Sequence, residues 1–316
     1  NIKDIPGFVA FFGMASPVTG ADGKQLINLL GKPLFGDRAG YGWLTVLSTM
    51  SWGLGYFGMP QVLLRFMAIR KTKELSRSRR IAMVWCVISM AAAVFIGLLG
   101  RTLPSIATHD ALLTASGAEN VFIQLSSLLF HPIVAGIVMA GILAAAMSSS
   151  DSYLLIASSA VSKNIWQGLF RKKATEKEVM WVSRIALLAI ALFGVVVAWN
   201  KNSKIFDIVS FAWAGFGATF GPLVLFSLFW KRTTKWGALA GMLGGGGMVF
   251  FYKLFIRVHF SETIFNIYEL LPAFLFSCVL ICAVSLLTKR PEQAVLDEFE
   301  TVKTASDDEI EAAVQA

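Results

Sequence analysis

The sequence has 316 residues, of which 56% are hydrophobic and 15% charged, with a formal net charge of +8. A soluble domain carries about 25% charged residues, and disordered or collagen-like chains lack apolar surface on the scale of 25 Phe and 9 Trp, so a polytopic membrane protein is what remains. The basic residues fall in short clusters between apolar runs rather than along one polar face, which points to a lipid bilayer and away from nucleic acid.

Residues 1–40 are mixed in character and punctuated by Gly and Pro. Their apolar patch, Phe8 to Met14, is too short to span, and the segment reads as an outer-side loop. Runs of about 20 apolar residues, long enough to cross a hydrocarbon core about 30 Å thick as helices, then follow one another. They extend from Tyr41 to Met67, Ile81 to Leu103, Pro132 to Val161, Val179 to Trp199, Ile205 to Trp230, Gly237 to Ile256 and Tyr268 to Leu287. Between the second and third, Val121, Leu125, Leu128 and Leu129 recur at helical spacing, which predicts an amphipathic helix over 118–130 on the outer face. After Pro291 the chain turns acidic, with Glu292, Asp297, Glu298, Glu300, Asp307, Asp308, Glu309 and Glu311, and reads as a solvated cytoplasmic tail. The organisation is therefore a loop (1–40), an all-α transmembrane region of seven helices (41–287) and a tail (288–316).

Loop charges orient the spans, because Lys and Arg of short loops collect on the cytoplasmic side. The clusters around Arg70 to Arg80, Lys163 to Lys177, Lys231 to Lys235 and Lys289 with Arg290 alternate with loops holding only Arg101, then Lys201 and Lys204, then Arg257. Seven crossings that begin outside and end inside satisfy that alternation. Cys86, Cys278 and Cys282 lie inside apolar runs without CxxC or metal spacing and read as buried thiols. No Gly-rich phosphate loop, HExxH or Ser/His/Asp constellation occurs, and His109, His131 and His259 lie in or beside outer loops, so the chain does not read as an enzyme.

Two motifs stand out within the spans. Trp52-Gly-Leu-Gly-Tyr56-Phe-Gly-Met-Pro60 places three glycines and a proline near mid-membrane, and predicts a broken helix. Backbone broken at that depth is tolerated only where it faces protein or a water-filled cavity, which is how many secondary transporters build substrate sites. Trp52, Tyr56 and Pro60, at i, i+4 and i+8, would share a face of an intact helix and form an apolar wall for a small ligand; the competing reading is plain packing. In the third span, Ala145, Ser148 and Ser149 at i, i+3 and i+4 offer one carbonyl and two hydroxyls to a hard cation such as sodium, the remaining oxygens coming from another helix. The alternative is that these serines bond back to their own helix. Asp151, with Ser148 and Ser152 on a neighbouring strip, suits a second cation or a proton, or a hydrated helix end.

Other glycine clusters read as structural. Gly237, Gly241 and Gly245, four residues apart, suit close helix contact. The run from Ala212 to Pro222 predicts a kinked fifth span, with Trp213 and Phe216 as candidate gate residues.

Trp52-Gly-Leu-Gly-Tyr-Phe-Gly-Met-Pro60 through Arg65-Phe-Met-Ala, Ile142-Leu-Ala-Ala-Ala-Met-Ser148-Ser149 and Ala212-Trp-Ala-Gly-Phe-Gly together resemble the bacterial sodium/proline symporters of the solute:sodium symporter family, over nearly the whole chain except the tail. The resemblance implies a LeuT-like fold of two inverted five-helix repeats in the bacterial cytoplasmic (inner) membrane, moving L-proline with Na+ by alternating access. It assigns the Ala145 carbonyl, Ser148 and Ser149 to sodium, and Trp52, Tyr56 and Pro60 to proline. Ser148-Ser149 stands where the family pattern has Ser-Thr, keeping the oxygen and losing a methyl, while an aspartate at 151 departs from the hydroxyls of two-sodium relatives. The chain is expected to hold the second repeat plus two further helices, with the N-terminal half absent, and so not to catalyse coupled uptake alone. A symporter for another small solute, and a symporter-like sensor domain, are the rival functions.

Overall fold

The computed structural model describes residues 13–20, 26–27, 34–40, 42–69, 71–102, 117–199, 204–260 and 265–305. Phe8, Arg70, His109, Lys201 and the tail acids Asp307, Asp308, Glu309 and Glu311 lie outside them. Within 1–40, strands β1 (Gly13–Pro17) and β2 (Phe35–Gly40) pair in a small sheet. The sequence reading has only a loop there, because Gly-Met-Ala-Ser-Pro and Phe-Gly-Asp-Arg-Ala-Gly carry neither β-branched residues nor apolar alternation.

The rest of the described chain is helical. The expected first span is discontinuous: α1 (Trp43–Met50) passes into a 3₁₀ segment, Ser51–Gly58, before α2 (Pro60–Met67). Next come α3 (Thr72–Thr102), a 3₁₀ turn at Gly117–Asn120, and α4 (Val121–Leu129), the helix anticipated over 118–130. They are followed by α5 (Pro132–Ser159), which continues as a π-helical stretch Ala160–Phe170, then α6 (Glu176–Ala198) and α7 (Ile205–Phe229). Helix α8 (Lys235–Phe251) extends through a π segment, Tyr252–Ile256, into a last turn Arg257–His259, and α9 (Leu270–Leu287) and α10 (Gln293–Thr304) complete the series.

Among the described residues, 6 helices are long and apolar enough to cross a membrane. They correspond to the six unbroken expected spans. The helices outrun the apolar windows where Lys, Arg and Glu, good helix formers, flank them: α3 begins at Thr72 rather than at Ile81. Helix α7 runs without interruption across the buried Pro222. None of the apolar window of α3 is buried within the chain, a surface suited to hydrocarbon.

Two compact units are formed, one by Ala93–Ile205 and the other by Asp37–Ala92 with the residues from Phe206 onward; α3 contributes to both. In the first, Glu178 on α6 accepts hydrogen bonds from Trp166 Nε1 (3.1 Å) and Arg171 Nη1 (2.9 Å), tying the π-helical end of the α5 rod to the next helix. In the second, α8 and α9 lie side by side. A Cβ on Gly237 would overlap Ser285, on Gly241 Ile281, and on Gly245 the Ala218 carbonyl. Ser277 Oγ donates to the Gly241 carbonyl (2.9 Å). Lipid supplies no hydrophobic drive between helices, so close backbone approach and such hydrogen bonds hold the pair.

Candidate functional site

Pro60 determines where the first span breaks. It has no N–H to offer the Tyr56 carbonyl, which instead accepts from Met59 N at 3.5 Å, and Met59 is extended (φ −85°, ψ 116°), as a residue before proline prefers. Pro60 itself occupies the first turn of α2, where its missing donor costs nothing. The glycines let the unwound segment lie directly on α7. A Cβ on Gly55 would overlap the Trp213 indole, one on Gly58 would overlap the Phe216 carbonyl, and one on Gly217 would come within 2.7 Å of Gly55 Cα. The Trp52 carbonyl accepts the Trp213 indole N–H at 3.0 Å, the kind of internal satisfaction that unwound backbone would need at membrane depth.

Around that contact the second unit assembles an aromatic platform. Trp52 stacks on Trp213 (centroids 5.5 Å apart, 14° between planes), on Tyr268 (5.7 Å, 18°) and on Phe206 (5.4 Å, 16°). Tyr56 meets Trp213 edge-on at 4.8 Å and 82°. Such pairs are worth about 0.5–1.5 kcal/mol each beyond area burial. Tyr56 is half exposed, and its hydroxyl has no hydrogen-bond partner among the described residues. It offers a polar tip beside an apolar wall.

The expected shared face of Trp52, Tyr56 and Pro60 needs correction. At three residues per turn, positions i and i+4 differ by about 120°, so Trp52 and Tyr56 reach Trp213 by its face and its edge, while Pro60 shapes the backbone beside them. Of the two gate candidates, Trp213 is central to the platform. The Phe216 ring is exposed and stacks on Phe220 (6.2 Å), so only its carbonyl meets the unwound segment. Phe206 and Tyr268 are platform members that sequence reasoning missed.

The cation candidates lie in the other unit. Ala145, Ser148, Ser149, Asp151 and Ser152 are all on the unbroken helix α5, within a stretch, 140–153, that is exposed throughout. Ser152 Oγ donates back to the Ser148 carbonyl at 3.2 Å. Ser148 and Ser149 hydroxyls have no such bond among the described residues, so back-bonding accounts for Ser152 but not for them.

A further cluster went unread in the sequence. Glu269, 1% exposed, accepts Arg257 Nη1 at 2.9 Å and faces Lys253 Nζ at 3.7 Å. Two basic residues at i and i+4 ending one apolar run, followed by a lone carboxylate opening the next, are the signal that would have found it.

With this geometry in hand, comparison with known proteins is decisive. The model of the sodium:solute symporter family matches residues 41–245. The chain belongs to that family. Curated relatives include the high-affinity proline transporter PutP of Bacillus subtilis, 43% identical over 89% of this chain and 58% of its own length. The sodium/proline symporter of Haemophilus influenzae is 44% identical over 83% of this chain and 52% of its own, and that of Escherichia coli 41% identical over 82% and 50%. The chain thus spans about half the length of the curated relatives it matches. It is a multi-pass protein of a bacterial cytoplasmic membrane, from a family of transporters rather than enzymes.

Proposed function

We propose that this chain forms part of a sodium-coupled symporter for L-proline that works by alternating access in a LeuT-like architecture, residues beyond these 316 completing its sites. The observation that carries the reading is the broken helix with its aromatic platform, in a chain whose relatives at 41–44% identity are named sodium/proline symporters. Trp52 supplies a flat apolar wall for the pyrrolidine ring, Tyr56 a hydroxyl for its polar end, and Pro60 keeps the helix open beside them. The Ala145 carbonyl, Ser148 and Ser149 give three oxygens of a sodium shell, and Asp151 with Ser152 is the candidate for a second cation.

Sodium and proline are then linked ligands, each tightening the other by the same factor. Proline affinity of the complete transporter in detergent, titrated with sodium, tests this. The expected result is a rise of about tenfold or more in affinity, within the usual range of coupling energies, that Ser149→Ala abolishes while weak sodium-independent proline binding persists. An affinity that stays flat across the titration overturns the assignment.

A further inference from the structure

Glu269 sits where a carboxylate is expensive. Its side chain is 1% exposed, it opens α9 as the N-cap residue, and its Oε1 has no hydrogen-bond partner among the described residues. Arg257 Nη1 lies 2.9 Å from its Oε2, and Lys253 Nζ, 3.7 Å from Oε1, also lies 4.3 Å from the centroid of the Phe211 ring on α7. Lys253 and Arg257, four residues apart at the end of the α8 rod, lie on one face of it. A buried ion group of this kind often adds less stability than apolar side chains of the same volume would, and its best-attested use is to fix register.

The register fixed here is that of the neighbouring residue. Tyr268 N–H donates to Ser48 Oγ on α1 at 2.7 Å, its hydroxyl donates to the Ser210 carbonyl on α7 at 2.6 Å, and its ring stacks on Trp52. Tyr268 is therefore held by α1, by α7 and by the unwound segment, while the adjoining Glu269 is anchored to the end of the α8 rod by Lys253 and Arg257.

We infer that Glu269 is a positioning residue: it holds Tyr268, and through Tyr268 the Trp52 platform and the broken segment, in the arrangement that receives substrate, without touching substrate itself. The consequence for transport rests on the proline reading above, whereas the positioning does not.

The test uses the complete reconstituted transporter carrying E269Q, which keeps the shape and removes the charge. Hydrogen exchange of the peptide covering 45–58 should accelerate about tenfold while that covering 132–159 stays unchanged. In sodium-driven uptake, KM for proline should rise about five- to twentyfold with Vmax per folded transporter within about twofold. Faster exchange confined to 250–270, or an unchanged KM, overturns the inference. If E269Q does not fold, R257Q removes the 2.9 Å contact from a half-exposed side chain and is judged by the same two readings. Absence of wild-type proline uptake overturns the substrate assignment, and exchange still decides the positioning.

Discussion

A hydrogen bond from Trp213 joins the unwound segment to α7, and its removal is informative because packing can be kept. Trp213→Phe leaves an aromatic face for Trp52 but strips the donor from the part-buried Trp52 carbonyl, at a cost of about 1 kcal/mol for the lost hydrogen bond. The expected outcome is a lower thermal midpoint in detergent together with weaker proline binding. Tyr56→Phe, whose hydroxyl has no partner among the described residues, should leave the stability within about 0.5 kcal/mol of wild type, and so the midpoint nearly unchanged, while weakening proline binding. Thermal unfolding read beside equilibrium binding checks both. At this scale the sequence was only partly legible. Trp52 and Tyr56 were recognisable because they flank the glycines of the expected break, and Trp213 because it lies in a second Gly-rich run. Tyr268 and Phe206 were not, since Ser48 and Tyr268 lie 220 residues apart and no local pattern joins such positions.

At the scale of elements, glycine decides which helices approach. In the first span, Ala at Gly58 would meet the Phe216 carbonyl and the Gly217 and Gly221 backbone, none of which can move aside, while Gly53 has open space. Gly58→Ala should therefore sharply reduce folded protein in the membrane, and Gly53→Ala should not. In α8 the same contrast holds between Gly245, which faces the Ala218 carbonyl, and Gly247, which faces nothing within 4 Å. Fluorescence-detected size exclusion of the four variants checks the whole set. The break and the glycine spacing were legible beforehand because Pro and Gly act through their own backbone. The ion cluster at Glu269 was not, because whether a carboxylate at the head of an apolar run is hydrated or buried depends on the helix that lies beside it.

One element is tied down by charge. Lys231 Nζ donates to Glu300 Oε1 at 3.0 Å, linking α10 to the turn after α7, and that hydrogen bond with the adjacent ammonium holds the Glu300 carboxyl below the usual range. A lowered folded-state pKa means the contact contributes fully above the ordinary carboxylate value of about 4.3 and is lost as pH falls through the lowered one. Hydrogen exchange in 293–304 should accelerate at acidic pH, and Glu300→Gln should show the faster exchange already at neutral pH.

For the whole molecule, the family is established by the match over residues 41–245, and the two candidate sites occupy separate compact units. Reciprocal coupling between sodium on α5 and proline on the aromatic platform is the central claim, because only a linked pair of sites turns an ion gradient into solute accumulation. The membrane class was legible from composition, and its helical character from the runs of about 20 apolar residues. The stretch 140–153 is exposed in this chain, so the proposal that it ligates a cation rests on residue chemistry and on kinship rather than on enclosure.

The most direct test is radiolabelled proline uptake by the complete transporter in proteoliposomes, with and without an inward sodium gradient, beside Ser149→Ala. The account predicts concentrative uptake only with the gradient, and its loss in the variant. Uptake that is equal with and without sodium, or that Ser149→Ala leaves intact, would contradict it.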